Sequence, residues 1–291
     1  MNYLRHFGLR EPPFGITPDT SFFFACRGAQ EALNVLLVAV ANGEGFIKIM
    51  GEVGTGKTLL CRRFLVSAGA QTVTAYLPNP LVDPRGLFCA LADELGVRAE
   101  AGSDLQGLLR AITLYLLDRA REGRRVALCI DEAQAMPTET LEAVRLLTNL
   151  ETEKRKLLQV VLFGQPELDR RLAAPELRQL AQRITFHQRL RGLDPDELGT
   201  YLRHRLAIAG YRGPDLFGAD AVAALARASR GVPRLVNILA HKALLALYGE
   251  GGQRVARRHV RIAALDTPAA RPQRRWWPLK LFAGARPAEP R

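Results

Sequence analysis

Cysteine is scarce in this chain, with four in 291 residues, and the four are scattered. Cys26, Cys61, Cys89 and Cys129 form no C-x-x-C pair and have no histidine at metal-ligand spacing, which excludes a zinc site or a disulfide framework as the organising feature. Reduced thiols fit this usage best. Long apolar runs are missing as well. Nowhere do the ~18 uncharged apolar residues of a spanning helix run together, and the opening MNYLRHFGLREPPFG lacks the apolar core of a secretory signal. The expected location is the cytoplasm. Acidic residues are scarce in one region only: from Gly251 onward ten Arg or Lys face Asp266 and Glu289 alone, so most of the net charge of +12 sits there.

What is present is apolar residues, at 48% of the chain, enough for one large core or a core with a satellite domain, and a disordered or fibrous chain is excluded. β-Branched apolar runs alternate with helical patterns, the signature of an α/β domain whose parallel sheet is flanked by helices. The runs predict strands at Phe46 to Met50, Thr72 to Leu77, Val126 to Ile130, Leu157 to Phe163 and Ile184 to His187. A helix is expected from about Glu31 to Ala41, closed by Asn42-Gly43, and another opening at Ser103-Asp104. After Arg191 the strand signals stop. Asp194 as N-cap and Pro195 at the first helical position begin a small all-helical lid domain over 192–266, following an α/β domain over 1–191. Residues 267–291, rich in Pro, Ala and Arg without periodicity, read as a flexible basic tail.

The chemistry concentrates at GEVGTGKT, a complete G-x-x-x-x-G-K-T between the apolar run FIKIM and the helical pattern LLCRRFLVSAG. Such a P-loop wraps phosphates with backbone N–H groups at a helix N-terminus, so Gly51, Glu52, Val53, Gly54, Thr55, Gly56, Lys57, Thr58 and Leu59 are the expected ATP contacts. Lys57 would reach the β and γ phosphates and Thr58 would ligate Mg2+. VALCIDE is a buried strand ending in Asp131 and Glu132. Read as a Walker B element, it makes Asp131 the second Mg2+ anchor and Glu132 the group that polarises the attacking water; read alone, the two carboxylates could simply cap the next helix. There is no N-K-x-D guanine box and no L-S-G-G-Q signature, and DEAQ, though helicase-like, is not followed by a second α/β motor.

G-V-P-R at Gly231 to Arg234 resembles the sensor-2 motif of AAA+ ATPases, which implies that Arg234 reaches the γ-phosphate from the lid. In that family sensor 1 follows the strand after Walker B, where LLQVVLFGQPEL places Gln165, and LRQLAQRI offers Arg178 and Arg183 as arginine fingers acting on a neighbouring subunit, or as surface charges. More narrowly, YLRHFGLREPPFGITPDTSFFF, the P-loop surroundings, IDEAQAMPTETLEAVRLLTNLETEKRKLLQVVLFGQPEL and GVPRLVN resemble the ExeA-like branch of AAA+ ATPases, and within it those of MSHA-type type IV pilus biogenesis. The resemblance implies an ATPase that forms a homo-oligomer and works with pilus or type II secretion assembly proteins at the inner membrane. It also implies that Pro13, Phe14 and Pro18 line the adenine site, with Phe14 stacked on the purine or merely packed. Arg274, Arg275, Trp276 and Trp277 in the tail suit either an anionic bilayer surface or a solvated tail. Relatives of this branch that help DNA transposition leave non-specific, ATP-controlled DNA binding as a second functional class.

Overall fold

The apolar runs become strands because they are short, rich in β-branched residues and bounded by turn residues. The structure is a computed structural model describing residues 3–98, 104–153 and 155–270. The chain opens with the single turn α1 (Tyr3–His6), then α2 (Arg27–Ala41), β1 (Phe46–Met50), α3 (Lys57–Ser67), β2 (Thr72–Leu77) and α4 (Pro84–Leu95). Next come α5 (Leu105–Arg121), β3 (Arg125–Ile130), α6 (Thr138–Leu147), β4 (Gln159–Gly164), α7 (Pro166–Leu172), α8 (Arg178–Ala181) and β5 (Phe186–Arg189). The strands form one parallel sheet in the order β2-β3-β4-β1-β5, as the α/β reading expects.

Both faces of the central strands are covered. Ile47, Ile49, Cys129, Val161 and Phe163 pack with residues of α2 and α3, whereas Phe46, Met50, Leu128, Ile130 and Leu162 pack with those of α4, α5 and α6. A fully buried Leu or Phe contributes ~1.5–3 kcal/mol, which is why these strands read as unbroken apolar runs. Lys48 interrupts β1 and is nonetheless buried, because its Nζ donates to Asp169 of α7 at 2.5 Å.

Three strand starts differ from expectation: β3 begins one residue early, at Arg125, which pairs with Thr72. β4 begins at Gln159, since Glu151 and Lys156 bridge antiparallel and the Leu157 N–H bonds back to Leu150. β5 begins at Phe186, because the Ile184 N–H still closes a helical turn onto Ala181. Asp104 caps α5 by accepting from the Gly107 N–H at 2.8 Å, a contact of the kind that contributes about 1 kcal/mol.

The lid consists of α9 (Pro195–Ile208), α10 (Ala219–Ser229), α11 (Pro233–Gly249) and α12 (Arg257–Leu265). Asp194 and Glu197 form a capping box at the start of α9. Phe7, Leu9, Phe14 and Phe22 insert into the lid's own core, beside Leu198, Leu239 and Leu244. The opening segment, placed by sequence in the α/β domain, thus packs with the lid. Thr267 is buried and Pro268–Ala270 forms a 3-10 turn, while the tail's tryptophans lie outside the described residues. Among the described residues no helix is long and apolar enough to cross a membrane.

Candidate active site

The strand order sets β3, β4 and β1 side by side, and the registers Met50 to Gly164 and Ile130 to Leu162 bring their C-terminal tips to one level. Loops leaving adjacent parallel strands there form the usual ligand crevice of such sheets. The P-loop leaves β1. Gly54 and Gly56 are left-handed, with φ of 81° and 99°, and Gly56 is the N-cap of α3. A Cβ on Gly51 would lie 2.6 Å from the Thr55 hydroxyl, and one on Gly54 would lie 2.5 Å from Cβ of Arg234. Nothing lies within 4 Å of a Cβ built on Gly56, so the loop is open to a ligand at the helix N-terminus. Buried Lys57 donates to the carbonyls of Gly51 (2.8 Å) and Glu52 (3.1 Å). Burial pushes its ammonium below the usual lysine range, and the nearby Glu132 and Asp131 partly oppose this.

At the tip of β3, Asp131 is 2% exposed. Burial pushes its carboxyl above the ordinary carboxylate range, opposed by the neighbouring Thr58 hydroxyl and by a hydrogen bond from the Glu132 N–H. The two residues expected to anchor Mg2+ are therefore in contact. Tyr76 on β2 donates to the far oxygen of Asp131 at 3.5 Å. Glu132 is left-handed (φ 50°), a conformation that costs a non-glycine residue about 1 kcal/mol or more and aims its side chain across to β4. There its Oε2 accepts from Nε2 of Gln134 at 2.5 Å and from Nε2 of Gln165 at 2.9 Å, while Oε1 of Gln134 accepts from the Gln165 N–H. Arg171 of α7 closes the cluster by donating to the Gln134 carbonyl at 2.6 Å.

The lid supplies the other wall. The Arg234 N–H donates to the Gly54 carbonyl at 3.1 Å, so the first turn of α11 sits directly on the P-loop. At the hinge, Leu193 N–H donates to Gly231 O at 2.8 Å, and a Cβ on Gly231 would lie 2.3 Å from Leu193 O. Deeper in the cleft, Arg205 of α9 is buried and donates to the carbonyls of Pro13 (2.6 Å) and Gly15 (3.3 Å) while stacking over Phe22 at 4.6 Å. Asn237 of α11 also donates to Gly15 O, and its own oxygen accepts from Tyr201.

Val53, Gly54, Gly56, Lys57, Thr58, Leu59, Glu132, Arg234 and Pro18 all line one cleft, together with Ile16 and Thr17. Gly51, Glu52 and Thr55 lie behind that wall and brace it, Thr55 by donating to Glu52 O. Asp131 and Gln165 join it through Thr58 and Glu132. Phe14 does not line it. The ring is 3% exposed and sits edge-on to Phe217 at 5.7 Å in the lid core, so packing and not purine stacking holds it. Arg178 is exposed and Arg183 donates to the Thr148 hydroxyl at 3.0 Å; neither reaches its own subunit's cleft. Sequence reasoning missed Gln134, Tyr201, Arg205 and Asn237. The available signal was polar residues standing in the apolar stripes of α9 and α11. The donor set fits a magnesium nucleotide: N–H groups and an ammonium for phosphates, and a hydroxyl beside a carboxylate for a hard cation that keeps its waters. No group of three metal-ligating side chains occurs among the described residues.

Comparison with known proteins agrees with this geometry. Residues 40–172 match the family described as AAA domain. The chain is 39% identical over 274 residues to General secretion pathway protein A of Aeromonas hydrophila, covering 94% of this chain and 50% of that one. It thus spans half the length of that curated relative. Among solved structures, Cdc6p from Pyrobaculum aerophilum superposes with a TM-score of 0.65 at 17% identity, over 85% of this chain and 70% of that one. The Aeropyrum pernix ORC1 protein in complex with DNA gives 0.62 at 20% identity, over 88% and 69%. The fold is that of the AAA P-loop proteins, a nucleotide-binding fold, and the chain is related in sequence to the secretion protein.

Proposed function

We propose that the chain binds ATP with Mg2+ and hydrolyses it, and that it uses the cycle to drive or switch assembly of a type IV, MSHA-like pilus or a secretion apparatus at the inner membrane, in a role like that of MshM. The observation that carries the ATPase reading is the convergence of Lys57, the Thr58–Asp131 pair, the Glu132–Gln165–Gln134 cluster and Arg234 on one cleft. Thr58 and Asp131 would hold Mg2+, which would supply positive charge to offset the charge that builds up on the phosphates. The P-loop N–H groups and Lys57 hold the phosphate chain, and Thr58 and Asp131 hold the metal's hydration shell in place. Glu132 orients the attacking water; both amides bond its Oε2, leaving Oε1 as acceptor for the water's proton. Gln165 shares that carboxylate and so holds it in place for the water. Arg234 ties the γ-phosphate end to the lid, and Arg178 or Arg183 completes a neighbour's site in a homo-oligomer.

The assembly role rests on the similarity to General secretion pathway protein A. A second reading, an ATP-controlled DNA-binding transposition helper, is favoured by the formal charge of +12 and the likeness to a DNA-bound ORC1 protein. ATPase rate per subunit against protein concentration, with and without anionic liposomes and duplex DNA, tests both. A rate that rises with concentration and with liposomes is expected. Stimulation by DNA that disappears at moderate salt would favour the second reading, and no turnover under any condition would defeat the ATPase proposal.

A further inference from the structure

Many surface arginines of this protein are matched to carboxylates: Arg27 to Asp196, Arg121 to Asp118, Arg170 to Glu167 and Arg258 to Glu250. Others, among them Arg62, Arg110, Arg178 and Arg212, form no ion pair among the described residues, and four such arginines meet at one cleft. Arg189 and Arg191 at the end of β5, Arg230 at the end of α10 and Arg234 in the first turn of α11 line a second cleft and form no ion pair among the described residues. The cleft measures about 790 Å3, against about 190 Å3 for the nucleotide cleft, and the two share Val53 and Arg234 as lining residues. Leu190, Val232, Leu235 and Ile238 supply apolar lining, and Glu52 is the single carboxylate there.

Arg230 is one of only two non-glycine residues with positive φ among the described residues, the other being Glu132. Its left-handed backbone (φ 53°) ends α10, and its guanidinium donates to Ala269 O at 3.1 Å. Held strain of this kind clusters where a side chain must be aimed. The two walls come from different domains. Arg189, Arg191 and P-loop residues Glu52, Val53 and Thr55 belong to the α/β side, and Arg230, Arg234 and Ile238 to the lid. Any occupant therefore touches both sides of the hinge and the outer face of the phosphate loop.

We infer that this cleft docks a partner protein through a segment carrying carboxylates and apolar side chains. Four cations to one anion select an acidic segment by charge complementarity. A concave apolar floor suits side chains that insert, whereas a duplex presents a convex phosphate row to a surface. The basic residues 271–291 of this chain are excluded as occupant by like charge. Because the occupant bridges P-loop and lid, its affinity and the affinity for nucleotide are coupled reciprocally.

The test is fluorescence anisotropy of the full chain with a short labelled peptide of alternating Glu and Leu, beside the Gln–Leu peptide of equal length and a labelled DNA duplex. Saturable binding of the Glu–Leu peptide is expected, weakened about tenfold or more by Arg189→Gln with Arg191→Gln and restored by the corresponding lysines. Arg191→Gln alone, at an exposed position, serves if the double variant melts early. Equal binding of the Gln–Leu peptide, or binding indifferent to these arginines, overturns the proposal. So does duplex binding that depends on them while the peptide stays unbound. The readout needs no turnover, so an inactive ATPase leaves it interpretable, and a failed peptide leaves the ATPase reading intact.

Discussion

The two walls of the nucleotide cleft are built by opposite means. The α/β wall is backbone and sheet: a glycine loop, three strand tips and carboxylates seated on fully buried residues such as Ile130 and Phe163. The lid wall is made of long side chains, and it is fastened by a few polar contacts to main-chain carbonyls of Pro13, Gly15 and Gly54. The first arrangement places charges to a fraction of an ångström, as phosphoryl chemistry requires. The second is built within the lid's own core, where the opening segment packs, and the Arg234 N–H ties it to the phosphate loop at Gly54.

Substitutions in the α/β wall should hurt chemistry, and those in the lid should hurt coupling. Glu132→Gln, measured by steady-state turnover, should lower kcat by ~100-fold or more while ATP still binds; parent-like turnover would remove Glu132 from its role. Lys57→Ala should weaken ATP binding by about two orders of magnitude in a fluorescent-nucleotide titration, the loss expected when a buried charge-assisted contact is truncated. On the lid side, Arg205→Ala strands the Pro13 carbonyl, while Gly15 keeps its bond from Asn237, and should lower unfolding free energy by about 1–3 kcal/mol, with a raised KM exceeding any change in kcat. Phe14→Leu should cost under about 1.5 kcal/mol and leave nucleotide affinity unchanged. A large affinity loss would return Phe14 to the base site.

The two buried charges also give the α/β wall a pH signature. Asp131 is pushed up and Lys57 down, so the free-enzyme profile of kcat/KM should be narrower on both sides than ordinary carboxylate and lysine values allow. The sign for stability follows from the same shift. A carboxyl raised in the folded state favours folding while protonated, and that contribution is lost as pH rises through its folded value. Asp131→Asn should therefore melt above the nucleotide-free parent at neutral pH and converge with it in acid.

Some of this was legible in the residues. The P-loop, the Asp131–Glu132 pair and the caps at Asp104 and Asp194 are contiguous signals, because the groups that interact lie within about one helical turn of each other. β1 and β2 were legible to the residue, since both strands are bounded by turns. Phe14 was not. Phe and Pro look alike to any pattern whether they face a purine or a phenyl ring, and only the fold of residues 3–24 onto the lid settles which neighbour is Phe217.

By itself, then, the sequence determined a parallel α/β domain with a phosphate loop, an acidic strand tip and a helical lid, all through local spacing and periodicity. Tertiary structure alone decided that Gln134 and Gln165 share one oxygen of Glu132 across 31 residues of chain, and that Arg205 reaches back 192 residues to Pro13. It also gathered Arg189, Arg191 and Arg230 around one cleft. The physical reason is that a hydrogen bond or a field is set by distance in space, and separations of that length along a chain carry no pattern until the cores on either side have closed.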